Sequence, residues 1–172
     1  MKRTLVMTRF NITPGFGFAL CCATLYLNAP ARADGQVPFK GSFNVHVVAA
    51  APVGPDHLQL TIETDVLATH LGRGAGPASA ILDMNDFSYG GEVTWSGANG
   101  DAIFITFAGQ FHPTSTPGVL ENEETFEIVG GTGRFFGATG SGIVGGLVDA
   151  TLTPLTPAPF TATISSPGSL KR

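Results

Sequence analysis

The chain has 172 residues, a formal net charge of −4 and only 13% charged side chains. That length suits a single domain, and 9 basic against 13 acidic residues offer no basic stripe for a nucleic-acid backbone or an anionic membrane surface. The two cysteines, Cys21 and Cys22, adjoin one another near the N-terminus, which excludes a disulfide framework or a thiolate metal site in the remainder.

Residues 1–33 read as a secretory signal. Lys2, Arg3 and Arg9 form a basic start, Phe16 to Leu27 is a 12-residue apolar core, and Ala31-Arg32-Ala33 places small residues where a signal peptidase cuts. The core is shorter than the about 20 residues that span a bilayer, which argues against a retained anchor. Phe18-Ala19-Leu20 lacks the small residue that lipoprotein processing at Cys21 would need. Cleavage between Ala33 and Asp34 leaves a single domain, residues 34–172, with 5 basic and 13 acidic side chains. A secreted or periplasmic protein of bacterial type, with no stable membrane insertion after processing, is expected.

Beyond the signal, hydrophobicity alternates with period two. Phe39, Gly41, Phe43, Val45 and Val47 interleave with polar residues, as do Leu58, Leu60, Ile62, Thr64 and Val66, and then Ile103, Ile105 and Phe107. Side chains on a strand point to opposite faces in turn, so this spacing describes half-buried strands, and no helical stripe competes with it. Eight strands are expected at 38–49, 57–70, 75–83, 88–97, 101–112, 121–130, 140–152 and 159–166. Short links such as Pro52-Val53-Gly54-Pro55 and Asn99-Gly100 make neighbours in sequence antiparallel neighbours in space. These features fit a closed barrel or a sandwich. On the fifth strand Phe104 and Ala108 make the second face apolar too, which calls for a cover such as a subunit interface.

The stretch Ile128-Val-Gly-Gly-Thr-Gly-Arg-Phe-Phe-Gly-Ala-Thr-Gly-Ser-Gly142 marks a tight reversal at Gly130, Gly131, Gly133 and Gly137, since glycine reaches positive φ without steric cost. It resembles the Val-Gly-Gly-Thr-Gly-x-Phe-x-x-Ala-x-Gly pattern of the dirigent and allene oxide cyclase-like β-barrels, including secreted bacterial members. Ala68 to Arg73, Ala98 to Asp101 and Phe160 to Ser165 are similar to the same group. The resemblance implies an all-β, eight-stranded antiparallel closed barrel, commonly a homo-trimer. It also implies either a small hydrophobic ligand bound without catalysis or a cofactor-independent cyclase or isomerase acting on an oxidised lipid or phenolic compound. One departure is Gly74-Ala75-Gly76-Pro77, where a strand would continue with aromatic or threonine residues.

The glycine turn does not follow Gly-x-Gly-x-x-Gly and precedes no helix, so it is a structural turn rather than a phosphate cradle, with Arg134 at its rim. His70 follows the apolar register of the second strand. It either closes one end of the core through a hydrogen bond or, with Arg73 at a barrel mouth, serves as a base or ligand-orienting donor. Glu63 and Asp65 share a strand face, as a solvated surface or as a coupled pair in a lumen, and Glu92 and Glu127 carry the same ambiguity. Glu121-Asn122-Glu123-Glu124 lacks the ligand spacing of a calcium loop and reads as strand-edge charge. The histidines have no metal-like spacing, no Gly-x-Ser-x-Gly elbow is present, and neither metal nor cofactor is expected. With no assignable acid, base or nucleophile set, the binding role is preferred over catalysis.

Overall fold

The computed structural model describes residues 35–151 and 158–166, and the expected signal lies outside them. Eight strands follow in order: β1 (Val37–Pro52), β2 (His57–Ala68), β3 (Gly72–Asp83), β4 (Ser88–Gly97), β5 (Ala102–Pro113), β6 (Val119–Gly131), β7 (Thr139–Asp149) and β8 (Ala158–Ser165). Every strand is antiparallel to the next, and β8 pairs back onto β1, so the sheet closes as a barrel. Observed strand ends differ from the expected ones by three residues at most. A single 3-10 turn, Gly133–Phe135, is the one helical element among the described residues.

Two expectations are corrected. The third strand begins at Gly72 and runs straight through Gly74-Ala75-Gly76-Pro77. Pro77 cannot donate to a ladder, and the β3–β4 pairing skips residues 76 and 77 but resumes in unchanged register at Ala78↔Val93. Gly76 makes this close approach possible, because a Cβ there would run into the Thr94 carbonyl. His70 leaves the apolar register because β2 ends at Ala68. It sits exposed in the β2–β3 turn at φ 66, and its Nε2–H donates to the Pro38 carbonyl at 3.2 Å.

An up-and-down barrel sends alternate loops to opposite ends. At the end holding the β2–β3, β4–β5 and β6–β7 links, Phe39, Phe135, Ile103 and Ile164 are fully buried, with Leu71 and Ala138 beside them. The glycine turn builds this plug. At the end of β6, Gly131 lies against the Ala102 carbonyl and Phe135, and beyond it Gly133 at φ 56 tucks beneath Asp101. Arg134 reaches Asp101 (Nε to Oδ2, 3.2 Å) and lies 5.1 Å above the Phe135 ring.

Higher in the lumen, the rings of Phe39, Phe43, Trp95, Phe126 and Phe160 pack at centroid distances of 5.3–6.2 Å. Trp95 Nε1–H donates to Thr64 Oγ1 at 3.1 Å, and Thr64 in turn donates to the Gly76 carbonyl at 2.8 Å, so both buried polar groups are satisfied.

Phe135→Ala removes one of the two phenylalanine rings of the plug. It is expected to cost about 3–5 kcal/mol, read as a fall in the denaturation midpoint. A loss under about 1 kcal/mol would show that the end is not closed by this ring.

Candidate functional site

Between the aromatic layer and the opposite end, the lumen holds a cavity of about 160 Å³. Its walls differ. Strands β1–β3 supply Val45, Val47, Leu60, Ile62 and Ala80, whereas β4–β6 supply Tyr89, Phe107, Phe111, Asn122 and Glu124. Val47 is 42% exposed while Trp95 and Phe126 are buried, so this end is an open mouth above a filled floor.

The polar part is one cluster on three adjacent strands. Tyr89 pairs across with Gly109, and Gly109 pairs with Glu124, which puts the three residues in a row. A Cβ at Gly109 would lie 2.6 Å from the Tyr89 hydroxyl, so the missing side chain lets the ring reach over β5 to β6. There Tyr89 Oη is 2.7 Å from both Asn122 Oδ1 and Glu124 Oε2. The ring also stacks on Phe111 at 4.7 Å, which fixes its tilt.

A tyrosine hydroxyl carries one proton and cannot donate to two acceptors. All three groups are satisfied when Glu124 is protonated and donates to Tyr89, which donates to Asn122. Ionised Glu124 instead accepts a hydrogen bond from Tyr89 O–H, and Asn122 must turn its amide to donate Nδ2–H to Tyr89 Oη. Burial pushes the Glu124 carboxyl up to about 7, with the Tyr89 hydrogen bond opposing the shift. Burial, followed by the Glu124 charge and hydrogen bond, raises the Tyr89 phenol well above its ordinary range, so Tyr89 stays neutral.

Charge around the barrel is polarised. The three described cations, Lys40, Arg73 and Arg134, all lie toward the plugged end, by their positions at the start of β1, the start of β3 and the β6–β7 link. Asp56, Asp83, Asp86, Glu121, Glu123 and Asp149 lie at the mouth, on its loops and strand ends. Hydrogen bonds from Ser88 hold Asp86 below the usual carboxylate range, and those from Thr151 do the same for Asp149. Two histidines share this rim: His57 Nε2 is 3.4 Å from Asp83 and His112 Nε2 is 3.9 Å from Glu123.

The site candidates Glu63, Asp65, His70, Arg73, Glu92 and Glu127 do not line the cavity. Glu63 and Asp65 are exposed on the outer face of β2, where His46 Nε2 is 3.5 Å from Asp65 and all three border a shallow depression. Glu92 and Glu127 face outward on β4 and β6, both opposite Thr106. His70 and Arg73 are exposed at the plugged end, not at the mouth. Among the described residues no group of three or more His, Asp or Glu could hold a metal ion.

The cluster that does face inward was readable from register. Asn122 and Glu124 alternate in step with buried Phe126 and Ile128, and Tyr89 with Val93 and Trp95. The same register splits the run read as strand-edge charge, with Glu121 and Glu123 facing outward and Asn122 and Glu124 inward.

No family model matches the chain, and no curated protein matches it. A solved structure of a pterocarpan synthase dirigent protein is similar to it at 15% identity and a TM-score of 0.48, covering 80% of this chain and 89% of that one.

The raised Glu124 pKa sets a pH dependence. Between the ordinary carboxylate range and about pH 7 the folded protein holds a proton that the unfolded chain has lost, so stability falls as pH rises through this window. The full effect is about 3 kcal/mol. Melting temperatures from pH 5 to 8 should decline in the wild type, and Glu124→Gln should flatten that decline. Equal slopes in both proteins would place the titration elsewhere.

Proposed function

We propose that this protein binds a small, mainly apolar ligand in the mouth-side cavity, without catalysis, as a member of the dirigent and allene oxide cyclase-like barrels. The observation that carries the reading is one hydrogen-bonded cluster, Tyr89, Asn122 and Glu124, in a mainly apolar cavity of about 160 Å³. Ligand sites are typically apolar, with a few convergent polar groups that fix orientation. An apolar protein cavity of about 150 Å³ takes up benzene, so the space suits a single ring or a branched chain of similar bulk. One polar substituent on that body would meet the cluster.

A cofactor-independent isomerase or cyclase is the second reading. It is favoured by Glu124 alone, whose pKa of about 7 lets it give and take a proton near neutrality. The basic start, apolar core and small residues of 1–33 support export and a single secreted or periplasmic domain of residues 34–172. The exposed outer side chains Phe104, Val129, Ile143 and Leu147, on neighbouring strands β5 to β7, support a homo-oligomer, with a trimer as the expected state.

Binding is testable with single-ring ligands detected by thermal shift and by native mass spectrometry of protein from its own host. Val47→Trp narrows the mouth at a position exposed enough to accept the ring. It should abolish the ligand-induced shift while changing the ligand-free melting temperature little. Retained binding in that variant would place the ligand outside the lumen.

A further inference from the structure

The cavity accepts one polar group, and the surrounding charge says which kind. A neutral hydroxyl would satisfy the cluster in one proton arrangement and gain nothing from the rim. A carboxylate would meet Glu124 and six acidic residues at the entrance with no described cation on that side. A positive group meets the opposite situation. The acidic mouth attracts it, and low-dielectric walls focus that field into the opening. Inside, Glu124 offers Oε1, which makes no hydrogen bond to a described residue, while Oε2 is engaged by Tyr89. Phe107 and Phe111 line the same wall, and aromatic faces attract cations.

We infer that the occupant is an organic cation, a small apolar amine whose ammonium group pairs with the Glu124 carboxylate while its hydrocarbon body fills the space above the aromatic floor. The inference rests on the ligand-binding reading and narrows it to one chemical class. A buried carboxylate paired with an ammonium group and hydrogen-bonded by Tyr89 has its charge and lone pairs accounted for, which is the condition under which a buried ion pair is tolerated. Binding then requires the ionised arrangement, with Asn122 donating to Tyr89 and Tyr89 to Glu124. Wherever Glu124 is still protonated in the free protein, amine binding must release that proton.

Isothermal titration of the purified protein with benzylamine, benzyl alcohol and benzoate separates the cases, since the three share one ring and differ in charge. Benzylamine is expected to bind at least about tenfold more tightly than benzyl alcohol, and benzoate most weakly. The preference should shrink as salt is raised.

Near pH 6.5, repeating the benzylamine titration in buffers of different ionisation enthalpy should reveal proton release. Glu124→Gln should erase the release and cut the amine preference to the part the rim supplies, which distinguishes Glu124 from the other groups around the site: Tyr89 beside it, and His57, His112 and the rim acids at the mouth. Equal affinity for amine and alcohol, or a preference for benzoate, would overturn the cation inference while leaving the cavity reading intact. If none of the three binds, both readings fall. The selectivity of the wild type decides the matter even if Glu124→Gln folds poorly.

Discussion

Closure of the sheet is the constraint on which everything else depends. Once β8 pairs with β1 there is no edge, and every second residue of every strand must share one narrow interior. Eight strands leave room for side chains or for one small molecule, so residue size along each strand decides where space remains. Here large rings occupy the plugged end and the middle, while Val45, Val47, Ala80 and Ala158 leave the mouth under-filled. Within that unfilled portion a single glycine, Gly109, lets a phenol cross from β4 to β6. Fold and site are therefore not separate layers of this molecule. The same inward register that builds the core delivers the polar cluster.

Much of the fold was legible because period-two alternation is a direct consequence of strand geometry. The strands, their order and the role of the glycine turn all follow from side chains whose placement is fixed locally. The site was less legible, for two physical reasons. Histidines and acidic pairs attract notice as chemistry-bearing groups, but Glu63, Asp65, Glu92 and Glu127 sit at outward positions, and His70 lies beyond the end of its strand. Conversely, Glu124 was hidden in a run of acids whose members look alike until the register of Phe126 is carried back along the strand. The Tyr89–Glu124 contact joins residues 35 apart in sequence through a strand between them, and no local pattern announces such a pairing.

A barrel of this shape is a common scaffold, and shape alone assigns no chemistry. In this barrel the two ends differ in charge. Among the described residues the three cations lie toward the plugged end, where Asp101 pairs with Arg134, and six acids lie at the mouth. The balance of the whole sequence, only mildly negative, conceals this polarity.

The seam between the first and last strands has a kinetic consequence. Seven residue pairs, Val37↔Ile164 through Phe43↔Ala158, join segments more than a hundred positions apart. Such distant pairing is slow, because loop closure must precede any gain. Until β8 arrives, Phe39 and its neighbours have no completed wall to hide behind, and the nascent polypeptide stays unsealed. The barrel is thus finished only when its final strand joins its first.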